Sequence, residues 1–187
     1  MPVPTPAELG PLAGLAGTWE GDQGLDISYH HAEGEIGETK YREKVEFKPF
    51  GPVDNGTQSL FGLDYRMAAY KEGEDEPFHT EVGYWLWDAD NKQVMRCFMV
   101  PRGQVVIAGG SANADSKTLE MSAKNGSNTY GILSNQYLEA NSKTPEYSCT
   151  ITVGDGEWSY TETTVYEVKS KGLIVQHTDR NTLKKVG

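Results

Sequence analysis

"EPFHTEVGYWLWD", residues 76–88, decides the fold. It reads as a β-strand, and in a strand side chains two positions apart share a face. One face carries His79, Glu81, Gly83, Trp85 and Trp87, and the other Phe78, Thr80, Val82, Tyr84 and Leu86. Neither is a plain solvent face, so the strand is expected to be buried on one side and substantially covered on the other. An imidazole and a carboxylate beside two tryptophans need polar partners, either structural groups or a ligand.

Outward from this segment the chain reads as strand after strand. Alternation, or β-branched and aromatic enrichment, marks 18–29, 40–49, 58–71, 78–88, 93–100, 104–111, 117–123, 145–153, 157–168 and 173–184. Turn signals such as "GPVDNG", "DADNK", "NADSK" and "GDGE" separate them. Residues 124–144 have weak periodicity and are expected to form a long loop or irregular crossing. The helix signal lies at the start, where Thr5, Pro6, Ala7 and Glu8 make a capping box that Gly10 and Pro11 limit to about one turn. Residues 1–16 are therefore a helical lead-in. About ten strands on mostly short connections predict an all-β domain over 1–187. Its expected form is a single antiparallel up-and-down β-barrel, lipocalin- or calycin-like, whose closure removes exposed edges. A β-sandwich is the alternative.

Alternation also sorts the charges. In "YREKVEFKP" the set Lys40, Arg42, Lys44, Glu46 and Lys48 lies outside, which turns Glu43 inward. By the same rule Trp158, Tyr160, Glu162 and Thr164 share an inner face, as do Val175, His177, Asp179, Asn181 and Leu183. An ordinary core does not gather Glu43, His79, Glu81, Glu162, His177 and Asp179. A barrel wide enough to hold a ligand does.

With 17 basic against 27 acidic residues, a formal charge of −10 argues against nucleic acid and anionic membrane as partners. The start of the chain has no basic region followed by an apolar run, and no stretch reaches the length of a spanning helix, so a soluble cytoplasmic protein is expected. Cys97 shares a face with Met95 and Met99 and reads as a buried free thiol; pairing with Cys149 stays open. No Walker loop, dinucleotide fingerprint, G-x-S-x-G or H-E-x-x-H is present, and "HTE" lacks the cysteine pair of a zinc deaminase.

Three stretches carry a resemblance: "GTWEGDQG" (17–24), "FHTEVGYWLW" (78–87) and "HTDRNTL" (177–183). With the strand order, they make the chain resemble the nitrobindin family of haem-binding β-barrels over nearly its whole length. The resemblance implies ferric haem b in an open pocket, with His177 as the axial ligand and His79 on the distal side. It also implies nitric oxide binding or peroxynitrite isomerisation, with His79 as the catalytic side chain and Glu81 and Trp85 beside the cofactor. Two other readings stand beside it. One is a lipocalin-like carrier of a small ligand, lined by Glu43, Glu162, Tyr160, Asp179 and Asn181. The other is a porphyrin-free metal site of His79, Glu81, His177 and Asp179. The expected partner is a small molecule, and the expected assembly a monomer or homodimer.

Overall fold

In a computed structural model that describes residues 3–187, Thr5 caps a one-turn helix, α1 (Pro6–Leu9). The Glu8 carboxylate accepts the Thr5 N–H at 2.7 Å, and Thr5 Oγ1 accepts the Glu8 N–H at 3.4 Å. Met1 and Pro2 of the lead-in lie outside the described residues. Past Gly10 (φ 54°) the chain continues as a 3₁₀ helix over Gly10–Leu15, which buries Pro11, Leu12 and Leu15. Trp19 is buried against this segment, its indole N–H donating to the Leu15 carbonyl at 2.7 Å. The lead-in thus plugs one end of the structure.

The strands are β1 (Gly17–His30), β2 (Glu35–Asn55), β3 (Gln58–Lys71), β4 (His79–Asp88), β5 (Gln93–Val100) and β6 (Gln104–Ser111). They continue as β7 (Thr118–Asn125), β8 (Gly131–Ser134), β9 (Glu146–Val153), β10 (Glu157–Val168) and β11 (Leu173–Lys185). They close into one barrel in the order β1-β11-β10-β9-β7-β8-β6-β5-β4-β3-β2. Closure is by β1 on β11, with Asp26 opposite Asp179. Neighbours pair antiparallel, except that β8 runs parallel to β7 over two residue pairs, Lys124 with Gly131 and Asn125 with Ile132.

Three expectations change. Residues 124–144 are not a plain loop: they hold β8 and a short helix, α2 (Gln136–Asn141), capped by Asn135. The outer face of β4 is not covered, since Val82 is 45% and Tyr84 52% exposed. Cys97 is only half-buried, on that same outer side, and both cysteines are free. The buried face of β5 is the other one, Val94, Arg96 and Phe98.

Inside, Phe47, Leu63, Tyr65, Trp85 and Trp158 fill the middle of the barrel, with Trp85 edge-on to Phe47 at 5.2 Å. Along β4 the inward residues run from His79 at the mouth through Glu81 to Trp85 and Trp87, whose ring packs against Gly10. The unplugged end is therefore the end where the histidines lie.

Candidate functional site

A cavity of about 280 Å³ opens at this end. His79 from β4 and His177 from β11 both line it, together with Glu81, Glu162 and Asp179. Tyr29, Phe98, Val100, Val106, Leu138 and Tyr166 supply its apolar wall. Solvent reaches it, since the His79 side chain is 38% exposed.

His177 is held by two carboxylates. Its Nε2 lies 2.6 Å from Asp26 Oδ2 and 3.0 Å from Asp179 Oδ2, so this nitrogen carries a proton and donates. Ser28 Oγ donates to the other Asp26 oxygen at 2.5 Å, and the Tyr166 ring stands edge-on to the imidazole at 6.2 Å. Burial by itself disfavours the charged imidazole, but Asp179 and Asp26 outweigh it and push His177 up to about 10. Burial carries the Asp179 carboxyl up to about 6 against the pull of His177, whereas at Asp26 the same imidazole, with Ser28, more than offsets burial and holds the carboxyl below the usual carboxylate range.

Across the cavity, His79 Nε2 lies 3.3 Å from Glu81 Oε1. The other Glu81 oxygen accepts from Arg96 Nη2 at 2.7 Å and from the Tyr65 hydroxyl at 2.8 Å. Burial raises the Glu81 carboxyl, but Arg96 and His79 outweigh that and bring it down to about 2. His79 in turn sits above its ordinary value, because the Glu81 carboxylate more than offsets burial. Arg96 also donates through Nη1 to Glu162 at 2.5 Å and to the Tyr147 hydroxyl at 2.6 Å. One buried guanidinium thus ties together the two carboxylates at the cavity floor.

Glu43, Tyr160 and Asn181, read as pocket residues, are instead a separate buried cluster that does not line the cavity. Tyr160 donates to Glu43 at 2.7 Å and Asn181 Nδ2 at 2.9 Å. These groups satisfy one another, which leaves no reason for them to face a ligand. Trp85 is likewise core and not cavity wall, because Phe47, Tyr65 and Trp158 enclose it. Sequence alternation missed Asp26, Arg96 and Tyr147, all of which hold a site residue.

The residues present fit an axial ligand to haem iron. A ligating imidazole is ordinarily fixed by a carboxylate on its other nitrogen. Here Asp26 and Asp179 hold Nε2–H, so Nδ1 is the nitrogen that would meet iron, and since the same carboxylates keep the ring charged up to about 10, iron would have to displace the Nδ1 proton. The cavity offers a flat ring an apolar side, Phe98, Val100, Val106 and Leu138 with the Tyr29 and Tyr166 rings, and a polar side that includes Arg102, Gln104, Ser142 and Thr144.

A closed barrel with a cavity walled by two carboxylate-backed histidines defines a small-molecule-binding β-barrel protein. The chain belongs to the family of THAP4-like, heme-binding β-barrel domains, whose model matches residues 8–185. It is 34% identical over 87 residues to a peroxynitrite isomerase of Clavibacter michiganensis subsp. michiganensis (strain NCPPB 382), a match spanning 46% of this chain and 38% of that protein. Over the same length it is 35% identical to a peroxynitrite isomerase of Clavibacter sepedonicus, again spanning 46% of this chain and 38% of the relative. The crystal structure of Rv2717c from M. tuberculosis superposes with a TM-score of 0.66 at 17% identity, covering 98% of this chain and 99% of that one. That likeness is one of fold. Among the described residues no helix is long and apolar enough to cross a membrane.

Proposed function

We propose that the cavity holds ferric haem b, with His177 as the axial ligand and His79 facing the opposite side of the pocket. The observation that carries this reading is the convergence of His79 and His177 on one cavity, each backed by a carboxylate. Family membership and the two peroxynitrite isomerases support it. Bound haem supplies a Lewis-acidic iron for nitric oxide binding or peroxynitrite isomerisation. The chain's own groups do the rest. Asp26 and Asp179 orient the His177 ring and hold the proton on Nε2, so that Nδ1 is the nitrogen that would give up its proton to a metal. Glu81, anchored by Arg96, holds His79 as a hydrogen-bond donor toward an anionic ligand.

Hemin titration of the purified protein tests this. A saturable Soret band of histidine-ligated ferric iron is expected. His177→Ala should abolish it, and His79→Ala should keep it while changing the distal-ligand spectrum. A titration without saturable change in folded protein overturns the reading. One observation favours a specific second reading: Asp26, His177 and Asp179 bring three potential ligand atoms within 4.8 Å of one another. A chain that ignores hemin but binds cobalt(II), with a visible d–d spectrum lost in Asp179→Asn, has a porphyrin-free cation site instead.

A further inference from the structure

The charged groups that line the cavity are matched inside the protein, with one exception. Glu81 and Glu162 share the Arg96 guanidinium, His79 leans on Glu81, and His177 and Asp179 lie 3.0 Å apart. Arg102 lines the same cavity, is exposed, and makes no ion pair among the described residues, in a chain with 27 acidic side chains against 17 basic ones. Its place is fixed through the backbone. The turn 101–103 joins β5 to β6, with Gly103 at φ 79°. Asn135 Nδ2 donates to the Arg102 carbonyl at 2.6 Å, and the Asn135 N–H donates to the Gly103 carbonyl at 3.0 Å. Asn135 is also the cap of α2, its side chain accepting the Leu138 N–H at 3.0 Å. Turn and helix are thus clamped into one rim, to which Ser142 and Thr144 also belong. Thr144 Oγ1 accepts from Gln104 Nε2 at 2.9 Å, which leaves the threonine O–H free to donate. Burial raises the Tyr166 phenol, while the Tyr29 N–H and the Arg102 charge oppose that rise. The guanidinium therefore lies on the side of the mouth where Tyr166 stands edge-on to His177 at 6.2 Å.

We propose that Arg102 anchors the cavity's ligand by pairing with a carboxylate on its edge, so that the site selects a flat apolar ring that is acidic on one side. The inference rests on the reading of the cavity as a porphyrin site and adds what sets the ring's orientation within it. The wall of Phe98, Val100, Val106 and Leu138 can take the face of a ring, but apolar contact does not distinguish one edge from another. A single cation on the rim, with the Ser142 and Thr144 hydroxyls beside it, does. Guanidinium N–H groups match the two oxygens of a carboxylate, which a lysine ammonium meets only as a point charge. A ligand without an acid leaves Arg102 in water at no cost, so selection works by affinity gained and not by exclusion.

Metal-free protoporphyrin IX is the probe, because it needs no axial ligand, and its binding to the full chain is read by quenching of tryptophan fluorescence. Arg102→Ala should raise its Kd about five- to tenfold, the size of one charged pair at a solvent-reached site. Arg102→Glu should raise it further, and Arg102→Lys should stay within about threefold of wild type. The dimethyl ester of the same porphyrin should bind all four proteins alike. Equal Kd values for the acid across the series overturn the proposal. So does an ester that loses as much as the acid, since Arg102 then packs against the ring and does not pair with it. Hemin separates this result from the axial-ligand reading. If hemin gives the histidine-ligated Soret band with one affinity across the Arg102 series, the anchor is wrong and the haem reading stands. If protoporphyrin IX follows the expected series while hemin shows no such band, the anchor stands and the axial ligand falls. A folded chain that binds neither porphyrin overturns both.

Discussion

Glu43 is fully enclosed, with Tyr160 and Asn181 as donors and no cation within ion-pair distance among the described residues. Burial dominates those two hydrogen bonds and pushes its carboxyl up to about 7 from 4.5. The sign follows from linkage. A folded-state value above the unfolded one means that folding favours the protonated form, so this stabilisation is full below about 4.5 and is lost as pH rises through about 7. The loss is on the order of 3 kcal/mol at about 1.4 kcal/mol per pH unit. Glu43→Gln keeps an acceptor and removes the charge. Its urea midpoint should match the wild type near pH 4, exceed it at pH 8, and vary less in between; parallel pH curves would show that Glu43 is not the group responsible. Glu43 was legible in sequence because the charges of its own strand define the outside. Arg96 was not. In "VMRCFMV" both faces are largely apolar, so the charge argues for solvent, and only its register opposite Trp85 puts it inside. Asp26 was hidden by a β-bulge. Strict alternation from Trp19 sends Leu25 and Ile27 inward, but the register shift between Gly21 and Gly24 moves the chain by one and turns Asp26 in.

At the scale of elements, strands of eight residues or more were readable because turn residues bound them and alternation runs long enough to count. The β8–α2 segment was not readable. Four residues of strand with one buried side chain, Ile132, and six of helix with one, Leu138, give no period. What places them is tertiary. β6 pairs with β8 at Gln104–Val106 but with β7 only at Gly109, so the sheet changes partner within one strand. Two glycines allow it: the Tyr130 ring lies on Gly109, and the Glu120 carbonyl of β7 comes up against Gly110. A Cβ at Gly110 would overlap that backbone oxygen, which cannot move aside as a side-chain end can. Gly110→Val should therefore cost roughly 1–3 kcal/mol, the range of overpacked cores. Hydrogen exchange should show the loss in β7 and β8 before β1 and β2. An unfolding temperature equal to wild type would mean that the β6–β7 crossing is slack.

Across the whole molecule, the same Arg96 that holds the cavity floor acts as a brace. Its guanidinium, contributed by β5, reaches Tyr65 on β3, Glu81 on β4, Tyr147 on β9 and Glu162 on β10. Those contacts span the interior from one wall of the barrel to the other, and the ring of Phe98 flanks the cation at 4.7 Å. Barrel closure followed from strand number and connection length; the brace did not, because it joins residues that no local pattern relates. Its energetics separate two effects. Desolvating one cation and two carboxylates costs several kcal/mol per ion, so the network as a whole adds little net stability over an apolar filling of the same shape. Removing the cation alone is different, because it strands two buried negative charges. Arg96→Met should lower stability by about 3–5 kcal/mol in equilibrium urea unfolding. Adding Glu81→Gln and Glu162→Gln to it should return much of that loss, although the triple variant contains more substitutions. If the single change costs under about 1 kcal/mol, or the triple is worse than the single, the guanidinium does not neutralise these carboxylates and the brace is only packing.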